Sequence, residues 1–478
     1  MTPHAPIMNS PFHRAFLVLA FLLPFLVRIQ PLYIDHDTLI YTLVGRGIYE
    51  HGIMPYGYAF DHKPFAIYFF YGPLAWLTDL GFNIFAVFAA FCILLTGIAF
   101  RGLTEFKEKS LPVVLVFLTS AALLSAQVTG NSEFVYVLLA LIAVLGLLRA
   151  HGSPVWMAIS ALCATSAANV NYLAVIPLCP ALLYGLWATS DGTRNFFLRV
   201  LLYMALVFGI LGVMLLLLLA AGANLAQYFE FQKLFLTAYA GDQRHPTFAF
   251  LAVWVVATGV ILLPAVPSLR VARARQPAAI ALGVMTLFGS IAVALSGQYY
   301  VHYLYAITAP AALFLLTLGR RRDRACDLAG LGALGGAALC MIYAALIIAT
   351  GRATPPDLHE YYADLRETVR GRVVMSVRAS IVPFYYSGGE PFQPIVFAGH
   401  AKMMFGPAAD GYLSERVAEY PPFVLTNFGV CDTVEAVKET CAFLKDHYDL
   451  IQRKSSAAGP WNRYAVGYDL YERGPFRN

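Results

Sequence analysis

Apolar segments of about membrane-spanning length recur up to residue 350, and that recurrence excludes most folds before any motif is considered. They run over residues 14–32, 82–100, 111–128, 133–150, 154–169, 172–188, 197–221, 247–266, 277–296, 303–319 and 328–350, about eleven in all. Inside a bilayer each backbone N–H and C=O must be satisfied within its own segment, so such runs fold as helices. The expected fold class is mainly α: a polytopic membrane domain over 1–350, followed by a small C-terminal α/β domain over 351–478. With 59% of the 478 residues hydrophobic and 13% charged, a water-soluble globule of this length is excluded. The net charge is only +5, with no basic run interleaved with aromatics, so no nucleic-acid partner is expected.

A shorter apolar run, 65–80, carries Pro73 and Asp79, and its length fits either a span or an interfacial or re-entrant helix. Charge decides between them. If 65–80 does not cross, Arg101/Lys107/Lys109, Arg149, Arg194/Arg199, Arg270/Arg273/Arg275 and Arg320/Arg321/Arg322/Arg324 all fall on the cytoplasmic side. Residues 33–81 then form a first external loop, with 65–80 lying in the interface or dipping into it. The same count places 127–133, 169–172, 222–246, 297–302 and the tail on that outer face. The 227–245 stretch has the aromatic and apolar spacing of an interfacial amphipathic helix. Arg14 precedes the first apolar run without a small-residue cleavage site, so a retained helix is expected.

The tail opens on Thr354-Pro-Pro. Strands are expected at 373–377, 423–426, 449–451 and 468–471, with a helix over 432–448. No glycine-rich phosphate loop follows the first strand, which argues for capping the outer site or binding an acceptor rather than a nucleotide. Cys92, Cys163, Cys179, Cys326 and Cys340 read as small buried hydrophobes, whereas Cys431 and Cys441 can pair if the tail is extracytoplasmic.

The outer loops hold the chemistry. Asp35, His36, Asp37, Arg46, His51, Asp61, His62 and Lys63 crowd into about thirty residues just after the first span, where ionisable groups are functional candidates. Asn131 and Glu133 stand at the mouth of a later helix, and His302 with Tyr303 in another outer loop. Singly, each is explained by a helix cap, a headgroup-level tyrosine or a satisfied histidine; the signal is their convergence on one face. A carboxylate can take a proton from an acceptor hydroxyl while a cation stabilises a departing phosphate, a combination that suits glycosyl transfer from a lipid phosphate.

The run Asp35-His-Asp37, Tyr41, Arg46, Gly52-Ile-Met-Pro55-Tyr56 and Asp61-His-Lys63-Pro64 resembles the first external loop of the GT-C class of integral-membrane glycosyltransferases. Its likeness is to the bacterial branch of the lipid A aminoarabinose transferase and relatives of the protein O-mannosyltransferases. Gly130-Asn-Ser-Glu133 and the stretch from Gly297 through His302 and Tyr303 to Pro310 resemble later motifs of that class. The resemblance implies a multi-pass protein of the bacterial inner membrane with its active site and C-terminal domain periplasmic. It implies a polyprenyl-phosphate sugar donor, a lipid, glycan or protein acceptor, and inverting single displacement. By the same resemblance Asp37 is the catalytic carboxylate, Asp35 its competitor and Glu133 the second acidic residue. Lys63 holds the lipid phosphate, and Arg46, Tyr41, Tyr56, Asp61, His62, Asn131, His302 and Tyr303 are substrate-binding candidates. The cofactor is left open; a divalent metal ion is the candidate, with Asp61, His62 and His302 as possible ligands. The chain departs from the pattern at Thr38, where a second acidic residue often stands, and at Phe65, where Lys-Pro-Pro is cut short. The arginine common at the start of the next span is missing from 82–91, a role open to Arg46 or Arg28. The rival readings are a transporter or flippase, which requires internal symmetry and charges deep in the spans, and a ligase or polymerase of lipid-linked oligosaccharide, which shares the donor chemistry.

Overall fold

The computed structural model describes residues 11–29, 36–80, 83–104, 111–125, 130–149, 153–241, 245–268, 277–318, 325–350, 357–434, 437–456 and 466–474. Asp35, Lys107, Lys109, the arginines of 270–275 and 320–324 and the Thr354-Pro-Pro linker lie outside them. The polytopic reading holds. Among the described residues five helices are long and apolar enough to cross a membrane, Ile84–Leu103, Ser132–Arg149, Thr193–Ala220, Pro277–Ser296 and Gly332–Ala349. Six shorter apolar helices, from Pro11–Leu26 to Val301–Thr317, take up the remaining predicted segments.

Two compact units form, and they do not follow chain order. One comprises Met1–Ile29, Phe85–Leu216 and Asp242–Thr350; the other gathers Gln30–Ile84, Leu217–Gly241 and Gly351–Asn478. The boundary predicted at 350 is one edge of this division. What linear reading could not place is the 30–84 stretch and the 217–241 segment, which fold with the tail.

The first unit is a helix bundle. Ser132–Arg149 packs along Pro154–Val170 and Val175–Ala188, and Pro277–Ser296 lies against Val175–Ala188 and Tyr305–Leu318. Leu111–Leu124 packs on Tyr305–Leu318 and Ala325–Ala349. Lipid gives helices no hydrophobic reason to associate, so close approach through small residues must supply the attraction. A Cβ on Gly332 would stand 2.7 Å from the Phe117 ring, and one on Gly336 2.6 Å from Ser120 Oγ. Between these helices and Phe248–Ser268 lies an apolar cavity of about 450 Å³, lined among others by Phe117, Leu124, Val256, Leu315 and Leu339. Cys92 and Cys340 are buried as expected, but Cys163 is only partly so and Cys179 is exposed on the bundle surface. An apolar thiol is tolerated where the solvent is lipid.

The second unit is built on a five-stranded sheet of β1 (Val373–Ser376), β2 (Glu390–Pro391), β3 (Phe423–Asn427), β4 (Tyr448–Lys454) and β5 (Tyr468–Arg473), in the order β2-β1-β3-β5-β4. β1 runs parallel to β2 and β3, with Met375 opposite Val424. β5 is antiparallel to β3, Leu425 facing Leu470, and β4 is antiparallel to β5. The four predicted strands are present; two-residue β2 gave no periodicity to read. The helix expected over 432–448 is Lys438–His447, preceded by the short turn Val430–Thr433 and by Val434 in an extended conformation. Cys431 and Cys441 form a disulfide across this break. Closing so short a loop restricts the unfolded chain by about 2–3 kcal/mol. Reductant is therefore expected to lower the unfolding temperature of the full-length protein, and a Cys431→Ala/Cys441→Ala variant should unfold at the same temperature with or without it.

In the same unit His36–His51 is helical and ends at Gly52, whose positive φ of 65° lets its N–H return to the Ile48 carbonyl. This helix packs on the Gly72–Leu80 segment at a glycine crossing: a Cβ on Gly45 would sit 2.4 Å from the Gly72 Cα. The 65–80 run is a short α-helix, Ala66–Tyr71, continued as a 3₁₀ helix, Gly72–Leu80.

Candidate active site

Asp61 is the centre of a buried polar cluster in the second unit. Its side chain is 1% exposed, with Oδ1 3.0 Å from His62 Nδ1 and 3.5 Å from His400 Nε2. Oδ2 accepts the Lys63 backbone N–H at 3.3 Å and lies 3.2 Å from the Tyr68 hydroxyl. The Lys63 carbonyl accepts from both Tyr56 Oη, at 2.7 Å, and Tyr68 Oη, at 2.8 Å. Three bonds thus fix the backbone of Lys63, and its side chain is buried.

Local sequence explains how the tract is held. Tyr56 adopts φ 75°, a left-handed conformation that costs a bulky residue about 1–3 kcal/mol and persists only where neighbours impose it. Its neighbours do so through the hydroxyl bond to Lys63 and a stack on Tyr228 at 4.5 Å between ring centroids. Tyr228 belongs to the helix Leu225–Gly241, the predicted amphipathic stretch, which turns Tyr228, Gln232, Phe235 and Tyr239 to one side. Phe235 stacks on His62 at 4.3 Å. Phe60 donates its N–H to the Pro394 carbonyl at 2.7 Å, and its own carbonyl lies 3.2 Å from His400 Nδ1. A carbonyl can only accept, so Nδ1 carries the proton and Nε2 turns its lone pair toward Asp61.

Burial raises the Asp61 pKa, but His62, 3.0 Å away, with His400 and Lys63 beside it, more than reverses this and holds it below the usual carboxylate range. Burial lowers His62, against the pull of Asp61, and pushes His400 down to about 4. A buried carboxylate with two imidazoles whose pKa values are pushed down is a donor set for a divalent cation. One ligand atom from each of Asp61, His62 and His400 lies within 4.8 Å of the others. The backbone carbonyl bond that orients His400 is the outer-shell contact that metal-binding histidines make.

The other candidates divide between the units. Asp37 stands in the first turn of His36–His51, with Tyr41 a turn further on, buried edge-on against Tyr71. Asp35 lies outside the described residues. Arg46 is taken up by two carboxylates, Glu50 at 2.9 Å and Glu390 at 2.8 Å. In the bundle, Asn131, Ser132 and Glu133 are all buried at the start of Ser132–Arg149. Glu133 Oε1 lies 3.3 Å from the Ser132 hydroxyl and 3.4 Å from Asn171 Nδ2, while its Oε2 has no hydrogen-bond partner among the described residues. Also in the bundle, the His302 ring stacks on Tyr300 at 5.2 Å and Tyr303 is buried in an apolar cluster. Arg28 bonds the Tyr343 hydroxyl at 2.6 Å.

One residue of the Asp61 cluster, His400, and one on the helix packed beside it, Gln232, escaped the sequence reading. His400 lies 338 positions along the chain from His62 in an unremarkable Phe397-Ala-Gly-His400 run, and no local signal marks it. Gln232 is buried with neither its amide nitrogen nor its oxygen partnered among the described residues. Its i+4 spacing from Tyr228 was the one available hint.

The chain has the fold of the GT-C integral-membrane glycosyltransferases. Comparison with family models and with curated protein sequences finds no match. Among solved structures, ArnT from Cupriavidus metallidurans bound to undecaprenyl phosphate aligns with a TM-score of 0.61 at 12% identity, over 97% of this chain and 98% of that one. The apo state of the same protein gives 0.54 at 12% identity, over 95% and 97%. The archaeal oligosaccharyltransferase AglB from Archaeoglobus fulgidus, in complex with an inhibitory peptide and a dolichol-phosphate, gives 0.48 at 13% identity, over 99% and 75%.

Proposed function

We propose that this protein moves a glycosyl group from a polyprenyl-phosphate sugar to an acceptor hydroxyl at the periplasmic face of a bacterial inner membrane. The observation that carries this reading is the Lys63 cluster: a buried lysine, its backbone fixed by three bonds, beside an ionised Asp61. The Lys63 ammonium meets the donor phosphate. Asp37 removes the proton as the acceptor oxygen bonds to the anomeric carbon, the bond from that carbon to the phosphate oxygen breaks, and the electron pair leaves with the phosphate. Asp35 is the competing base. Tyr41 and Tyr56 brace the two ends of the loop.

Asp61, His62 and His400 would hold a divalent cation, His400 taking the place first given to His302. Bound there, the cation would add positive charge to stabilise the leaving phosphate. The apolar cavity of the bundle suits a polyprenyl chain. The Cys431–Cys441 disulfide favours an oxidising compartment for the tail.

Cell-envelope glycolipids and glycoproteins compared by mass spectrometry, with and without this protein, are expected to differ by one sugar mass; identical profiles sink the proposal. Single displacement requires inversion, so NMR of the product showing a retained anomeric configuration overturns the mechanism.

Gln232 gives a second test. An unpartnered buried amide costs about 1–3 kcal/mol, which a leucine would recover. Gln232→Leu is expected to unfold at the wild-type temperature or above while raising KM for the donor, because the amide serves the substrate. Unchanged KM removes Gln232 from the site.

A further inference from the structure

Glu390 opens the two-residue strand β2, whose backbone is seated on the sheet by the Glu390 N–H, donated to the Arg372 carbonyl at 2.8 Å. With its main chain held by the tail, its side chain turns to the 30–84 stretch of the same unit. Oε1 accepts Arg46 Nη2 at 2.8 Å, and Oε2 accepts the Tyr58 hydroxyl and lies 3.2 Å from His51 Nε2. Burial pushes the Tyr58 phenol above its usual range against the pull of Arg46, so the hydroxyl keeps its proton and donates. The His51 and Tyr58 rings stack at 4.9 Å between centroids. At their base a Cβ on Gly47 would stand 2.5 Å from the Tyr58 Cβ, so helix and loop meet in direct contact.

One tail carboxylate therefore grips two segments. Arg46 and His51 belong to the His36–His51 helix, which carries Asp37 in its first turn. Tyr58 belongs to the tract that leads into Asp61 and Lys63. The tail follows that tract beyond Glu390: the Pro394 carbonyl accepts the Phe60 N–H at 2.7 Å, and His400 Nδ1 lies 3.2 Å from the Phe60 carbonyl. The other carboxylate on Arg46, Glu50, is on its own helix and ties that helix to nothing else. Glu390 supplies the tie, through a charge-assisted bond on the helix side and a phenol bond on the loop side. The inference rests on the transfer reading above, in which Asp37 takes the proton and Lys63 meets the phosphate. Base and phosphate seat are then on separate segments that must be held in register. We propose that Glu390 is a positioning residue for the transfer, acting through Arg46 and Tyr58 to hold the Asp37 helix against the Lys63 tract.

Turnover of a synthetic polyprenyl-phosphate sugar by the full-length protein tests this, with kcat counted per donor-binding site so that a loss of folded protein does not register. Glu390→Gln is expected to lower kcat roughly tenfold to a hundredfold, the scale on which a misplacement of about 1 Å is felt. The donor KM should stay near the wild-type value, because the hydroxyl bonds from Tyr56 and Tyr68 still fix Lys63. Glu390→Asp, which keeps the charge, should recover part of the loss. Arg46→Gln should match Glu390→Gln, and the double variant should fall no further, since the two residues act as one unit. If Glu390→Gln keeps the wild-type kcat per site while its unfolding temperature drops, the carboxylate is structural and the proposal is overturned. A raised KM with unchanged kcat also overturns it, in favour of donor binding. Wild-type protein that binds donor and moves no sugar overturns the transfer reading itself, and the positioning role with it.

Discussion

Asp37→Asn is expected to lower turnover by roughly 10²–10⁴-fold while the protein stays folded, inserted and able to bind donor, because a general base contributes that much and an amide cannot accept the proton. The position supports the loss being chemical. Asp37 is in the first turn of His36–His51, where a negative charge is favoured, and it is only partly buried, so the isosteric change leaves no cavity. Thr38 and Tyr41, which follow it, are buried and fix that end of the helix. The check is transfer from a synthetic polyprenyl-phosphate sugar, with donor binding measured in parallel. If Asp37→Asn turns over at the wild-type rate and Asp35→Asn does not, the base is Asp35.

The bundle was legible because hydropathy reports burial in lipid directly: each apolar run returned as a helix, down to the short ones at Leu111–Leu124 and Tyr172–Ala188. The strands of the tail were legible for a related reason, since the run of buried residues in β3 at Phe423–Asn427 is itself a pattern. What the sequence withheld were associations between segments distant along the chain. Asp61, His62 and Lys63 were visible as a cluster, but His400, which the fold brings to them, sits among apolar residues of a tail helix and gave no local signal. Arg46 was expected near phosphate, yet it is matched by Glu390, 344 residues away, a pairing no spacing rule can reach. The glycines at 45 and 72 looked like ordinary helix residues until their backbones were seen to touch.

Asp61→Asn is expected to be the most damaging single change to the second unit. The side chain keeps its shape, so packing is preserved and only the charge is lost. That charge faces Lys63, His62 and His400, and removing one partner from a buried set of charged and polar groups is expected to cost about 3–5 kcal/mol. The lost carboxylate is also the oxygen donor of the proposed cation site. Two readouts separate these effects. The apparent unfolding temperature of the full-length protein in detergent should fall for Asp61→Asn in the presence of chelator, which isolates the charge term. Added divalent cation should then raise the unfolding temperature of the wild-type protein, but not that of Asp61→Asn or His400→Ala. If cation stabilises His400→Ala as much as wild type, His400 is no ligand. If chelator-treated Asp61→Asn unfolds with wild type, the Lys63 charge is balanced elsewhere and the cluster does not depend on Asp61 for its stability.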